Sequence, residues 1–201
     1  MDKNDSNFRQ TQPIMFDGMA LPPIPPLLKD AKKRFEEIRN MEYRKGDIIL
    51  AIYLKSGTHW VWEIVCMLLK QKAEYSKEPK ELFFLEAMPD LSMVENMESP
   101  RAVNTHLPYR WLPKQHIENG GKIVHVVRNP KDVCVSLYHH MKSSEEIREI
   151  KDFKTFYETV FMNPNGEIGD WKNHFTVAMN EHFDAVYKEE MKDSHIKIQF
   201  E

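Results

Sequence analysis

The most constraining feature of this chain is an apolar run, Ile48-Ile49-Leu50-Ala51-Ile52, that breaks off at Tyr53-Leu54-Lys55-Ser56-Gly57-Thr58-His59-Trp60. The chain then resumes with apolar residues at helical spacing, Val61, Ile64, Val65, Leu68 and Leu69. A strand that stops at a short Lys-Ser-Gly-Thr turn and restarts as a helix aims backbone N–H groups, one ammonium and two hydroxyls at a single small volume. Such a volume suits a phosphate or a sulfate. The turn is shorter than a GxxxxGK[ST] phosphate loop and lacks its first glycine, so an ordinary strand-to-helix turn with a plain N-cap is an equally open reading of these residues taken alone.

A second junction of the same kind lies further on. Lys122 to Val127 is a β-rich apolar run broken only by His125, as a strand buried in a parallel sheet requires. It ends at Arg128-Asn129-Pro130-Lys131-Asp132, where Pro130 suits a first helical turn, and Val133, Leu137 and Met141 follow at spacings of four. Ser136 lies two turns along from Arg128, within reach of one bound anion. Arg128 taken alone reads more readily as one half of a surface ion pair. Between the junctions, a short extended segment from Ser99 ends at His106, whose successors Leu107 and Pro108 stop regular structure. His106 is therefore placed where the chain leaves a sheet, as a structural, solvated or functional imidazole. Strands alternating with helices predict an open α/β sheet that binds anions beyond its strands' carboxyl ends.

With 201 residues the chain suits one domain. Its 28 basic and 31 acidic side chains, net −3, argue against a general nucleic-acid binder and leave room for a local basic pocket. Cys66 and Cys134 both sit in apolar segments, which favours buried thiols in a reducing, cytoplasmic setting. No apolar run is long enough to cross a bilayer. Residues 1–26 read as a flexible, proline-rich lead-in, with Leu21 to Pro26 extended, either packing on its own domain or offering a PxxP ligand. Helices are expected over Lys29 to Asn40, over Asp90 to Met97, from Phe153 to Phe161, and from Ala178 to Lys192. Glu81 to Ala87 is apolar and ambiguous.

Four segments, in order, resemble the cytosolic sulfotransferases. Tyr53 to Trp60 is similar to that family's Y-P-K-S-G-T-[TN]-W loop, Ser99 to Pro108 to S-P-R-x-x-K-T-H-L-P, Arg128 to Ser136 to R-N-P-K-D-x-x-V-S, and Gly169 to Glu181 to G-D-W-K-N-x-F-T-V-x-x-N-E. The resemblance implies a P-loop-NTPase-like parallel sheet flanked by helices, with 47–162 as donor-binding core and 169–201 as C-terminal segment. It implies 3'-phosphoadenosine 5'-phosphosulfate as sulfuryl donor, no metal, and a small acceptor: a phenol, alcohol, steroid or amine. Lys55, with Ser56, Gly57, Thr58, His59 and Trp60, then matches the phosphosulfate cradle, His106 the general base, and Arg128 and Ser136 the 3'-phosphate donors. Lys172, Thr176, Val177 and Glu181 match a homodimer contact.

The departures are specific. Leu54 replaces the loop proline, His59 the second threonine, and Asn104 a lysine that many members carry. Between about Phe161 and Gly169 the family's long block, which supplies acceptor-pocket residues, adenine contacts and an Arg-Lys-Gly grip on the 3'-phosphate, is missing. Losing two charge-assisted contacts at about 1.5–3 kcal/mol each would weaken nucleotide binding by several orders of magnitude. Beside the enzyme stands the alternative of a catalytically impaired splice form or paralogue that acts only as a dimerising or binding protein. A phosphate-loop kinase is disfavoured, because neither GxxxxGK[ST] nor a metal-binding aspartate strand is present.

Overall fold

The computed structural model describes residues 14–77, 80–143, 151–158 and 174–195. The first thirteen residues, the Phe161 to Gly169 junction and Lys172 lie outside them.

Three parallel strands form the centre: β3 (Ile48–Ala51), β4 (Ala102–Thr105) and β5 (Lys122–Val124), in the order β4-β3-β5. Ile48 stands opposite both Ala102 and Lys122. Alternate side chains of β3 serve two cores, which explains why the strand reads as an unbroken apolar run. Ile49 and Ala51 join a cluster with Val103, Phe35 and Ile38, while Leu50 and Ile52 join one with Trp62, Val65 and Cys66. The helices covering those faces are α1 (Pro25–Arg39) and α2 (Thr58–Lys70).

The chain goes from β3 to one side for β4 and to the other for β5, so the carboxyl end of β3 is the topological switch point. In open α/β sheets a crevice opens there, and it is where ligands bind. Helix α5 (Pro130–Ser143) follows β5, and α7 (Val177–Glu190) docks on it with α6 (Phe153–Phe156) through an aromatic cluster of Tyr138, Phe156, Tyr157 and Phe183. The buried Lys131 ammonium ties α5 to α7 by pairing with Asp184 and donating to Asn180 Oδ1 at 2.6 Å. Cys66 and Cys134 are buried free thiols, as expected.

Several boundaries differ from the sequence expectation. Part of the lead-in is a hairpin, β1 (Ile14–Phe16) against β2 (Met19–Leu21), turning at Asp17 and Gly18 with φ of 50° and 76°. The first helix begins at Pro25 and is interrupted at Asp30, whose carboxylate accepts the Lys33 N–H at 2.9 Å and restarts it. The ambiguous stretch is a 3-10 turn, Lys80–Phe83, and Phe84 then bridges to Asn104. The expected Asp90 to Met97 helix shrinks to α3 (Ser92–Glu95), and α4 (Lys114–Glu118) precedes β5. No described helix is long and apolar enough to cross a membrane.

Candidate active site

A cavity of about 1560 Å³ opens at the switch point. Its floor is the loop after β3. Lys55 adopts φ 58° and Gly57 φ 94°, a left-handed pair that turns the chain sharply into α2. No side chain caps α2, whose first residues, Thr58 to Trp60, line the cavity. Thr58 is buried, and its Oγ1 has no hydrogen-bond partner among the described residues. An orphaned hydroxyl at an uncapped helix start, beside a lysine, is the donor set an anion needs.

The walls come from distant parts of the chain. His106, just past β4, points Nδ1 at the Ile52 carbonyl oxygen at 2.6 Å. A carbonyl only accepts, so Nδ1 carries the proton and Nε2 keeps its lone pair. Glu86, 5 % exposed, holds this corner: Oε1 accepts the His106 N–H at 2.7 Å, and Oε2 accepts the Thr105 hydroxyl at 2.8 Å. Thr105 Oγ1 in turn accepts the Leu107 N–H at 3.1 Å. Phe84 packs against the His106 ring at 4.6 Å and the His59 ring at 6.1 Å.

On the opposite side, Arg128 donates to the Lys55 carbonyl at 2.6 Å, and Ser136 faces the cavity from α5. His140, one turn beyond Ser136, also lines it. Partial burial, with the charges of Lys55 and His59, pushes the His140 imidazole below histidine's ordinary range. A greasy wall is supplied by Met19, Leu21, Ile24 and Leu27 of the hairpin and α1.

The structure thus brings Lys55, Gly57, Thr58, His59, Trp60, His106, Arg128 and Ser136 to one cavity. Trp60 stands 76 % exposed at its rim. Ser56 is the exception among the loop residues: its side chain is buried and turns back to the Leu54 carbonyl. Glu86, His125 and His140 were not singled out by sequence reasoning, although a lone carboxylate inside Phe83-Phe84-Leu85-Glu86-Ala87 is itself a sign of a buried, partnered charge. No group of three or more His, Cys, Asp or Glu side chains among the described residues is arranged to hold a metal ion.

The sulfotransferase domain model matches residues 45–164 and, separately, 161–195. This chain belongs to the sulfotransferase family. Among curated sulfotransferases, human Sulfotransferase 1E1 is 28 % identical over 275 aligned residues, covering 87 % of this chain and 94 % of the relative. Human Sulfotransferase 4A1 is 33 % identical over 165 residues, covering 79 % of this chain and 55 % of the relative. Among solved structures, mouse sulfotransferase SULT7A1 complexed with PAP superposes with a TM-score of 0.52 at 26 % identity, over 82 % of this chain and 59 % of that one.

An alignment 275 positions long can hold at most the 201 residues of this chain, so at least 74 positions of Sulfotransferase 1E1 face a gap here. The two parts of the sulfotransferase match meet at 161–164, at the Phe161 to Gly169 junction. Of the substitutions that depart from the sulfotransferase pattern, Leu54 and His59 line the cavity, whereas Asn104 lies away from it. It is wholly buried in β4, and neither its amide nitrogen nor its oxygen has a partner among the described residues. Of the C-terminal motif, Thr176 caps α7 by accepting the Met179 N–H at 3.3 Å, while Val177 is 76 % exposed and Glu181 is exposed.

Proposed function

We propose that the chain transfers a sulfuryl group from 3'-phosphoadenosine 5'-phosphosulfate to a hydroxyl or amine of a small acceptor. The observation that carries this reading is convergence: Lys55, Thr58, His106, Arg128 and Ser136, spread over about eighty residues, face one cavity at the switch point. The residues fit the nucleotide, since the orphaned Thr58 hydroxyl and the uncapped start of α2 are donors awaiting an acceptor. When bound, the nucleotide supplies the sulfuryl group and its phosphate leaving group.

Each residue then has a role of its own. Lys55 and the first turn of α2 offset charge on the leaving oxygen. His106, its Nδ1–H held by Ile52, offers Nε2 to the acceptor's proton, and Glu86 keeps the backbone at that position. Arg128 and Ser136 hold the 3'-phosphate, with His59 and Trp60 at the nucleotide's edge. The apolar wall around Leu21 and Leu27 suits a phenol, steroid or other hydrophobic acceptor. Lys172, Thr176, Val177 and Glu181 are the proposed homodimer contact, and the free thiols fit a cytoplasmic setting. Incubation with radiolabelled donor and a panel of phenols, steroids, alcohols and amines tests the reading. Transfer is expected with at least one acceptor, and transfer that survives His106→Ala would sink the mechanism.

The alignment gap favours a second reading, in which the chain keeps a weakened donor site and acts as a binding or dimerising partner. Calorimetry with 3'-phosphoadenosine 5'-phosphate separates the two. Micromolar binding supports the enzyme, and the absence of binding supports the alternative.

A further inference from the structure

The carboxyl end of β3 is gripped by two histidines, and only one has a role so far. His106, after β4, has Nδ1 2.6 Å from the Ile52 carbonyl oxygen, and His125, after β5, has Nδ1 2.6 Å from the Ala51 carbonyl oxygen. The acceptors are the last residue of β3 and the one after it, so the two rings are fixed in the same way on the strand's two flanks. Both Nδ1 atoms donate, which leaves each Nε2 as the atom that can change its state. Both rings line the cavity, and neither Nε2 has a partner among the described residues.

The flanks differ in charge. On the β4 flank, Glu86 carries negative charge against Thr105 and His106. On the β5 flank stand Arg128, bonded to the Lys55 carbonyl, with Ser136 and His140 on α5, and none of these is acidic. Glu63, the other carboxylate on the cavity wall, comes from α2 and accepts the Ser76 N–H at 3.0 Å. An imidazole on the acidic flank is suited to take a proton, and one on the cationic flank is suited to meet an anion.

We infer that His125 is a phosphate-contacting residue of the donor site, donating Nε2–H to a phosphate oxygen of the nucleotide held beside Arg128. The inference rests on the donor reading above and adds a residue to it. In the neutral ring the single proton is on Nδ1, so this contact forms only when the imidazole takes up a second proton. Lys55, Arg110, Arg128, His59, His106 and His140 share the cavity with the carboxylates of Glu63 and Glu86, and an entering phosphate favours the doubly protonated ring. Nucleotide binding therefore takes up a proton at this site, and affinity rises as pH falls.

The test is calorimetry of the full chain with 3'-phosphoadenosine 5'-phosphate at pH 6 and pH 8, in buffers of differing ionisation enthalpy so that proton uptake is read directly. His125→Asn keeps an N–H for the Ala51 carbonyl and deletes Nε2, while His125→Gln places its amide near the Nε2 position. At pH 6 the Asn variant is expected to bind about tenfold more weakly than the wild type, the scale of one charge-assisted hydrogen bond. The gap should narrow at pH 8, the Asn variant should take up fewer protons, and the Gln variant should recover part of the affinity. Circular dichroism checks that both variants are folded. Equal affinity and equal proton uptake in wild type and His125→Asn overturn this inference alone. A wild type that binds no nucleotide at either pH overturns the donor reading, and this inference with it.

Discussion

Replacing Glu86 should damage both the stability of the domain and the placement of its proposed base. The carboxylate is 5 % exposed and accepts two hydrogen bonds, from the His106 N–H at 2.7 Å and the Thr105 hydroxyl at 2.8 Å. Hydrogen bonds to a charged group contribute about 1.5–3 kcal/mol each, and a buried donor left without an acceptor forfeits its solvation as well. Glu86→Ala removes both acceptors at once, so a loss of about 3–6 kcal/mol is expected. That is a large share of the roughly 5–15 kcal/mol that holds a typical domain together. Glu86→Gln keeps one oxygen for the His106 N–H but puts an amide NH2 where the Thr105 hydroxyl needs an acceptor, so about half that loss is expected. Urea unfolding followed by circular dichroism reads both values, and an unchanged dependence on urea concentration would show that the folded and unfolded states are otherwise alike. An Ala variant within about 1 kcal/mol of wild type, or a Gln variant as damaged as the Ala variant, would refute the assignment of Glu86 as a two-point clamp.

Two glycines separate strain from collision. Gly57→Ala places a Cβ in open space but at φ 94°, so about 1–2 kcal/mol of backbone strain is expected. Gly121→Ala would put its Cβ 2.4 Å from the buried His116 ring, and a larger drop in thermal midpoint should result; the reverse order would count against both placements. Asp47 and Arg101 form a buried ion pair, and Asp47 also accepts the Arg101 N–H and the Ser99 hydroxyl, so Asp47→Ala should cost about 3–5 kcal/mol in urea unfolding. The His140 imidazole is held below its ordinary range, so the unfolded chain binds the proton first and stability falls as pH drops below histidine's unfolded value. His140→Gln should flatten that slope between pH 7 and pH 5, and an unchanged slope in pH-dependent denaturation would contradict the partial burial of the ring beside Lys55 and His59.

The parts of this fold that could be read from the sequence are those whose periodicity is long enough to register. Ile48 to Ile52 serves two cores at once and so appears as a solid apolar run, and α2, α5 and α7 repeat their apolar positions over thirteen or fourteen residues. The hairpin of Ile14 to Leu21 has three-residue arms, too short to show alternation, and its Asp17-Gly18 turn was the only local sign of it. β5 stops at Val124 although the apolar run continues to Val127, because past Val124 it is the His125 ring that reaches back to β3. Of the candidate site, Lys55, His106 and Arg128 were legible because each stands at a junction between elements, and Ser136 because helical spacing sets it two turns along from Arg128. Glu86 and His125 act through tertiary partners 20 and 74 residues away, which no local pattern encodes.

The parallel order β4-β3-β5 also bears on when the cavity comes into being. β3 can pair with β4 only after a loop of some fifty residues has closed, as the 54-residue separation of His106 from Ile52 records, and with β5 only across 74 residues. Loops of that length carry a large entropic cost before any contact rewards them, so such sheets assemble slowly. During synthesis the Lys55 loop leaves the ribosome long before the segments that carry His106 and Arg128. The proposed anion site is therefore among the last features to exist, and an anion that fits it would bind only chains that have finished folding, acting as a late ratchet on the native state.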